Sequence, residues 1–312
     1  MNYLKDYREG EKFVGTYLCK QILKTKAGKT YYSLTLQDKT GTADGKIWEL
    51  NNGIANFEPM DYIHCEGMVT SFQGNLQMNI SRVRISDEGE YDPADYVPCT
   101  NKDVGEMFSR ILKYVASVQN KYLRKILEMY FVENKEFVDA FKKHSAAKSV
   151  HHGFMGGLLE HTLSVTDMCQ YFAEHYPMIH RDLLITAALF HDMGKIQEIS
   201  DFPMNDYTDD GQLLGHIYIG ARCMENAAAQ IPNFPPKLKN ELVHCILAHH
   251  GKMEFGSPKV PAIMEAMALH MADNADAKLQ TLTEVFTQAG DNMGWLGFNR
   301  MFESNLRKTS EE

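Results

Sequence analysis

The sequence has little of what marks secreted, membrane-spanning or disulfide-rich proteins. Its six cysteines are scattered, with no C-x-x-C and no paired spacing, so a reduced compartment is favoured over a disulfide scaffold. No run of about 18 apolar residues is present for a membrane span. The first residues, MNYLKDYREGEKF, lack the apolar segment of a signal peptide. These absences predict a cytoplasmic protein with no part in a membrane.

An excess of basic residues is also missing. The net charge is −9 over 312 residues, which argues against a protein that coats nucleic acid by charge alone. Residues 1–90 hold 11 Lys and Arg against 12 Asp and Glu, or −1, which leaves −8 for the rest. A local basic edge is still predicted where four lysines lie close together: Lys20, Lys24, Lys26 and Lys29.

The first part of the chain has the alternating pattern of β-strands. Five segments rich in Val, Ile, Thr and Tyr are separated by glycine-containing turns. They are FVGTYLCKQIL, KTYYSLTLQD, GTADGKIW, DYIHCEGMVTSF and NLQMNISRVRI. With a short helix predicted at NNGIANF, between the third and fourth strands, this order matches a five-stranded OB-like barrel. Such barrels commonly bind single-stranded nucleic acid.

Beyond an acidic, proline-containing stretch at residues 86–100, the apolar period becomes that of helices. DVGEMFSRILKYVASV and KYLRKILEMYF begin a part that is expected to consist of helices and loops throughout. A chain about twice the usual domain length is expected to hold two domains. We therefore predict an OB-like domain over residues 1–90, a linker over 91–101, and an all-α helical bundle over 102–312 with its core at about 145–290.

Histidines and aspartates recur in five segments of the helical part. These are GGLLEHT with His161, ALFHDMGK with His191 and Asp192, LLGHI with His216, LAHHG with His249 and His250, and LHMADNADAK with Asp273. The gaps between them, 30, 24, 33 and 23 residues, each equal about one helix and its connection. Side chains contributed one per helix can converge in a bundle core, which predicts a metal site.

The residue types indicate which ion the site would hold. Imidazole and carboxylate donors suit a divalent ion, and a set without a thiolate does not resemble a closed structural zinc site. His191 and Asp192, being adjacent, can reach one ion only where a helix ends, and Gly194 is a natural C-terminal cap there. Lys195 is then expected to project near the metal, where a phosphate oxygen needs a cation.

These segments resemble the HD superfamily of metal-dependent phosphohydrolases, and the extra histidines resemble its dinuclear members. With the OB-like first part, the whole chain resembles the YhaM-type 3′-to-5′ exoribonucleases of Gram-positive bacteria. The resemblance implies one ion on His161, His191, Asp192 and Asp273. A second would share Asp192 and add His216 with His249, His250 or both. It implies manganese or a similar divalent ion such as iron, catalytic roles for Asp192 and Lys195, and single-stranded RNA, or also DNA, as substrate.

Substrate contacts are predicted at two places. Phe255 and Ser257, in the loop after His250, could border the entrance, although an ordinary Gly-Ser-Pro turn explains them equally well. In the barrel, Tyr31 and Tyr32 could stack on bases, but alternation allows only one of them to face outward. Two further expectations concern residues outside these sets. Trp48 is expected in the core, and His151 and His152 are not expected to be ligands.

Three other functions fit parts of the pattern. An HD phosphohydrolase acting on a cyclic or small nucleotide has the same ligands but no need of a strand-guiding barrel. A di-iron oxygenase could use the same donor set and is separated by metal analysis and oxygen consumption. A nucleic-acid-binding regulator would use the helical part only as a scaffold, which an intact set of ligands disfavours. The sequence does not indicate the oligomeric state.

Overall fold

The computed structural model describes residues 3–27, 29–51, 53–72, 74–148 and 152–310. The chain divides into two compact units, Met1–Cys99 with Phe202–Met204, and Thr100–Asp201 with Asn205–Glu312. Two sequence predictions fall partly outside the described residues. They concern His151 and the side chains of Lys24, Lys26 and Lys29.

The first unit is a closed β-barrel. Its strands are β1 (Lys12–Ala27), β2 (Lys29–Asp38), β3 (Gly41–Ile47), β4 (Tyr62–Phe72) and β5 (Asn75–Ile85). Hydrogen-bonded neighbours run β1-β2-β3-β5-β4 and return to β1. The β3–β5 pair is parallel and the other pairs are antiparallel. The predicted five-stranded OB-like barrel is confirmed.

Strand β1 closes the barrel because it is long enough to have two neighbours. Residues 12–18 pair with β4, whereas residues 18–27 pair with β2, with a register shift between Cys19 and Gln21. A second shift, between β4 and β5, falls at Gly67. A Cβ at Gly67 would lie 2.0 Å from the Asn79 carbonyl oxygen, so only glycine allows the strands to approach this closely.

Alternating strand residues fill the barrel. The buried apolar side chains are Leu4, Tyr7, Phe13, Tyr17, Cys19, Leu34, Leu36, Ile47, Phe57, Ile63, Cys65, Val69, Met78, Ile80 and Val83. One sequence prediction is wrong here. The described residues between 51 and 57 form a turn and a single bridge from Ile54 to Val83, not a helix.

The second unit is helical over most of its described residues. Its helices are α1 (Val104–Ser117), α2 (Lys121–Phe131), α3 (Lys135–Lys143), α4 (Gly157–His175), α5 (Arg181–Phe190), α6 (Lys195–Glu198), α7 (Asp209–Leu213), α8 (Gly215–Gln230), α9 (Pro236–Ala248) and α10 (Met264–Gln288). A small two-stranded sheet, β6 (Phe298–Asn299) and β7 (Ser304–Asn305), departs from the all-helical prediction. None of the described helices combines the length and apolar character that a membrane crossing requires.

Polar residues set the starts of the first three helices. Asp103, Asn120 and Asn134 each accept hydrogen bonds from backbone N–H groups in the first turn that follows them. Helix α4 packs against α5 and α10, and α9 packs against α5, α8 and α10. These five helices, together with α1, α2 and α3, surround a continuous apolar core. Polar side chains are also buried at that centre, and they form the candidate site.

Candidate metal centre

Five helices of the second unit bring the predicted histidines and aspartates together. His161 is on α4, His191 and Asp192 follow α5, His216 is on α8, His249 and His250 follow α9, and Asp273 is on α10. Neighbouring positions in mid-helix diverge by about 100°. Because α5 ends at Phe190 and α9 at Ala248, both members of each adjacent pair can face one centre.

The first group of donor atoms consists of His161, His191, Asp192 and Asp273. His161 Nε2 lies 3.2 Å from each of three atoms: His191 Nε2, Asp192 Oδ2 and Asp273 Oδ1. His191 Nε2 lies 3.4 Å from Asp192 Oδ2 and 3.9 Å from Asp273 Oδ1. Four donors from three separate stretches of chain therefore converge.

The second group consists of His216, His249 and His250, whose ring nitrogens lie within 4.8 Å of one another. Asp192 faces this group through its other oxygen. Asp192 Oδ1 lies 3.6 Å from His216 Nε2 and 3.6 Å from His249 Nε2. The carboxylate of Asp192 thus stands between the two groups, with one oxygen toward each.

These donors are suited to divalent cations. Asp192 Oδ1, His216 Nε2 and His249 Nε2 are buried and have no hydrogen-bond partner among the described residues, an arrangement that is costly unless something binds them. Bonds of about 2.0–2.2 Å at angles near 90–110° would separate neighbouring donors by roughly 3–3.6 Å. The separations of 3.2–3.9 Å in the two groups come close to that range. Nitrogen and oxygen donors therefore fit the ions that the sequence predicts.

The histidine rings are held so that Nε2 is the atom directed at the groups. In each ring Nδ1 has an oxygen partner at hydrogen-bond distance, and it would donate its proton to that oxygen. The Nδ1 partners are Asp276 for His161, Ala188 O for His191, Glu198 for His216, Ile246 O for His249 and Phe255 O for His250. An N–H on Nδ1 leaves the lone pair on Nε2, which is the form that binds a metal.

Electrostatics keep the carboxylates ionised despite their burial. Burial favours the neutral form of Asp192, but the Lys195 ammonium and the His191 and His161 rings hold its pKa well below the usual value. Burial also disfavours a charged His161, yet hydrogen bonds to Asp192, Asp273 and Asp276 raise its pKa well above the usual value. The His161 ring therefore lies among three carboxylates that favour its charged form.

Two rings of the second group, those of His249 and His250, are held in the neutral form. Burial lowers the pKa of His249. Burial, together with the neighbouring His249, lowers the pKa of His250 to about 4. Both rings therefore carry a free lone pair at neutral pH, as metal ligands must.

Gly194 plays a different part from the one predicted. Its φ of −63° is not that of a left-handed cap, and α6 begins at the next residue. A Cβ on Gly194 would instead lie 2.1 Å from the carbonyl oxygen of His216. Glycine is thus needed because the backbone of α8 passes directly against it. Lys195, at the start of α6, has its Nζ 2.6 Å from Asp192 Oδ2.

The chain is similar to known proteins over most of its length. The HD domain family matches residues 158–278, a range that contains all seven residues of the two groups. A protein of Listeria innocua named 3′-5′ exoribonuclease YhaM is 33% identical over 293 residues, covering 90% of this chain and 90% of its own. Proteins of the same name from Geobacillus and Bacillus subtilis are each 32% identical, over 280 and 262 residues, and the alignments cover 85% and 81% of those proteins.

The chain belongs to the YhaM family. The resemblance drawn from the sequence is therefore confirmed, and it includes both units because the alignments span 88% and 82% of this chain for the Geobacillus and Bacillus proteins.

Two residues predicted at the entrance of this YhaM-family centre differ in exposure. Phe255 is largely exposed, and its carbonyl oxygen is the partner of His250 Nδ1 at 2.8 Å, so its backbone lies against the second group. Ser257 is only 2% exposed, and its hydroxyl has no partner among the described residues. Its predicted contact with substrate would need the loop to open.

One prediction for the aromatic residues of the barrel is wrong. Trp48 was expected in the core, but it is 48% exposed. The preceding Ile47 is buried at the end of β3, so the next side chain points outward. The Trp48 ring lies 4.8 Å from that of Tyr31, and Trp48 Nε1 donates to Asn79 Oδ1. Tyr32 packs against the barrel core, so Tyr31 is the tyrosine of the outer pair.

Sequence reasoning missed two carboxylates that border the centre. Asp276 accepts from His161, and Glu198 accepts from His216, both at buried positions. Asp276 follows Asp273 by three residues, a spacing that places both on one face of α10 and that could have drawn attention to it. Glu198 has no such signal in the sequence. His152, not expected to be a ligand, contacts Asp276 at 2.9 Å and lies outside both groups.

Proposed function

We propose that this chain is a metal-dependent 3′-to-5′ exoribonuclease that holds two divalent ions and hydrolyses single-stranded RNA to nucleoside 5′-monophosphates. The observation that carries the proposal is the carboxylate of Asp192, which presents one oxygen to each of two groups of histidines. Similarity over most of the chain to proteins named 3′-5′ exoribonuclease supports the substrate and the polarity.

One ion would be held by His161, His191, Asp192 and Asp273. The other would be held by Asp192, His216, His249 and His250. Bound ions would lower the pKa of water and withdraw electrons from a phosphoryl oxygen, which is the chemistry that phosphodiester hydrolysis needs. We propose manganese because the family resemblance implies it. The nitrogen and oxygen donors would accept this ion, and they would accept iron as well.

Two protein side chains have the main electrostatic roles. Asp192 is ionised and 2% exposed, so its orientation is fixed and it sets the spacing of the ions. Lys195 Nζ, 2.6 Å from Asp192 Oδ2, holds a positive charge at the edge of the first group. We assign to Lys195 the role of offsetting the negative charge of the reacting phosphate.

The barrel would hold the single strand. Tyr31 and Trp48 form an outer aromatic pair, and stacking on such rings is worth about 1–3 kcal/mol per base whatever the sequence. The same contacts would accept single-stranded DNA. The exposed ring of Phe255 belongs to the loop whose backbone contacts His250, and we assign to it stacking on a terminal base. A cytoplasmic location, where RNA is available, stays part of the proposal.

The test uses the full chain with MnCl2 and a 5′-labelled single-stranded RNA, beside the same RNA blocked at its 3′ end. We expect a ladder of shortened products from the free RNA and protection of the blocked one. Immediate release of labelled mononucleotide would reverse the polarity. Uncut RNA, with turnover of a cyclic or small nucleotide by the same preparation, would favour that other class of HD enzyme.

A further inference from the structure

The histidines of the metal centre are held by two kinds of oxygen. Backbone carbonyls hold His191, His249 and His250 through Nδ1. Carboxylates hold His161 and His216. One of these carboxylate-held rings belongs to the first group and the other to the second. The two groups are thus each built with a single histidine that has an anionic partner.

Asp276 is the partner in the first group. It is 7% exposed, and its Oδ2 accepts from His161 Nδ1 at 2.6 Å and from His152 Nε2 at 2.9 Å. The Ser164 hydroxyl donates to Oδ1. Three donors from separate positions therefore fix both oxygens, and Asp276 cannot turn without losing at least one of these hydrogen bonds.

Asp276 could instead be considered a ligand, since His152, His161 and Asp276 also lie close enough to hold an ion. The hydrogen-bond geometry disfavours this. If His161 Nε2 binds an ion of the first group, its Nδ1 must keep the proton that points at Asp276. His161 Nδ1 then has no lone pair with which to bind a second cation. Asp276 is accordingly an acceptor that supports a ligand.

Glu198 is the partner in the second group. It is 8% exposed and belongs to the short helix α6. Its Oε1 accepts from His216 Nδ1 at 2.9 Å and from the His216 backbone N–H at 3.0 Å. One oxygen therefore fixes both the ring and the first turn of α8 that carries it.

We propose that Asp276 and Glu198 are positioning residues that set the affinity of the two metal positions separately, Asp276 through His161 and Glu198 through His216. The inference rests on the proposed two-ion centre. A carboxylate partner fixes the tautomer and makes Nε2 a stronger donor than a carbonyl partner does, because the anion stabilises the positive charge that the ring acquires on binding an ion. Since the two carboxylates lie on different helices and reach different rings, their effects are separable.

The test compares Asp276→Asn and Glu198→Gln in the full chain, stripped of metal and titrated with MnCl2. Calorimetry gives the number and affinity of bound ions, and electron paramagnetic resonance reports whether two Mn²⁺ lie side by side. Both substitutions keep an acceptor oxygen and remove its charge. We expect each variant to bind one ion within about threefold of the wild-type affinity and the other about 10- to 100-fold more weakly.

The recovery of turnover with added Mn²⁺ distinguishes a role in metal binding from a merely structural role. In both variants we expect kcat to return toward the wild-type value at saturating Mn²⁺, because the ligands themselves are intact. The matched control is Glu265→Gln. Glu265 is another buried carboxylate of α10 and accepts from the His180 backbone N–H at 2.6 Å, so both ions should bind as in the wild type.

Wild-type affinity for both ions in either variant would overturn the inference, and so would an equal loss at both ions. If urea unfolding shows that Asp276→Asn has no stable folded state, Ser164→Ala is the alternative variant. It removes one hydrogen bond of Asp276 and should weaken binding of the same ion to a lesser degree. Wild-type protein that binds fewer than two ions would overturn the two-ion centre and this inference together. Wild-type protein that binds two ions but leaves RNA intact would overturn the proposed function alone.

Discussion

The two units of this chain place their functional side chains in opposite environments. In the helical unit the candidate site is made of polar residues with almost no exposure, such as His161, His191 and Asp192. In the barrel the residues suited to nucleic acid, Tyr31 and Trp48, lie on the outside of an apolar core. One unit buries polar groups at a cost, whereas the other exposes aromatic groups that any protein surface can carry.

This difference explains why the residues of the helical unit indicate a function more clearly than those of the barrel. Buried polar atoms such as Asp192 Oδ1, His216 Nε2 and His249 Nε2 have no hydrogen-bond partner among the described residues. They require a compensating ligand, so histidines and aspartates at helix spacing are themselves a functional signal. Exposed aromatic residues carry no such requirement. Substitutions in the helical unit should therefore abolish hydrolysis and leave RNA binding intact. Substitutions in the barrel should weaken RNA binding and leave metal binding intact.

The largest effect is expected from Asp192→Ala. Removing the carboxylate that faces both groups should lower turnover of RNA at least about a thousandfold. RNA binding, measured by fluorescence anisotropy with Mn²⁺ present, should stay close to wild type because the barrel is unchanged. Asp167→Ala, at a carboxylate paired with Arg110 on the surface, is the control and should leave turnover intact. Normal RNA degradation by Asp192→Ala would refute the assignment.

The opposite separation is expected from Trp48→Ala. Loss of one stacking ring should weaken RNA binding by about 1–3 kcal/mol, or roughly 5- to 150-fold in Kd. The Mn²⁺ stoichiometry should not change, since the residue belongs to the barrel. Trp48→Phe keeps an aromatic face and should recover most of the affinity. Equal RNA affinity in the alanine variant would remove this ring from the binding surface.

A smaller effect on stability distinguishes two glycines of the helical unit. At Gly194 an added Cβ would meet the His216 carbonyl oxygen at 2.1 Å, whereas at Gly220 its nearest neighbour is Ile246 Cγ2 at 3.5 Å. Gly194→Ala should therefore destabilise the fold by about 1–3 kcal/mol. Gly220→Ala, in the interior of α8, should be neutral or slightly stabilising. Urea unfolding measures both, and equal values would contradict the close approach.

The last prediction concerns pH. Hydrogen bonds to three carboxylates raise the pKa of His161 despite its burial, so the metal-free protein carries a proton there at pH 7. An ion must displace that proton, and Mn²⁺ affinity should fall about tenfold per pH unit on acidification. Calorimetry in two buffers of different ionisation enthalpy should detect proton release. A binding enthalpy that is the same in both buffers would count against it.

Much of the barrel could be predicted because strand alternation is a local property. The five strand segments follow from apolar residues at every second position and the glycine turns between them, and their order along the chain matches an OB-like barrel. Alternation by itself does not say which of the two neighbours Ile47 and Trp48 faces inward; Ile47 does so at the end of β3, and Trp48 is therefore outside. The segment around Ile54 forms a turn where a helix is predicted, because so short an apolar segment does not distinguish a helix from a turn.

In the helical unit, residue identity and spacing were enough to select the seven polar side chains that the structure brings together. Their partners could not be selected in the same way. Glu198 meets His216 only because α6 and α8 pack side by side. Gly194 has the composition of a helix cap, but its φ and its contact with the His216 carbonyl show a packing role.

By itself the sequence determined the strand and helix periods, the family and the residues able to bind a metal, because each of these depends on residue type and local spacing. Only the tertiary structure decided that Asp192 turns one oxygen to each group and that His249 and His250 face the same group. It also decided that Asp276 and Glu198 accept hydrogen bonds from Nδ1 of His161 and His216. These features depend on how helices distant in sequence pack, and no local pattern encodes that packing.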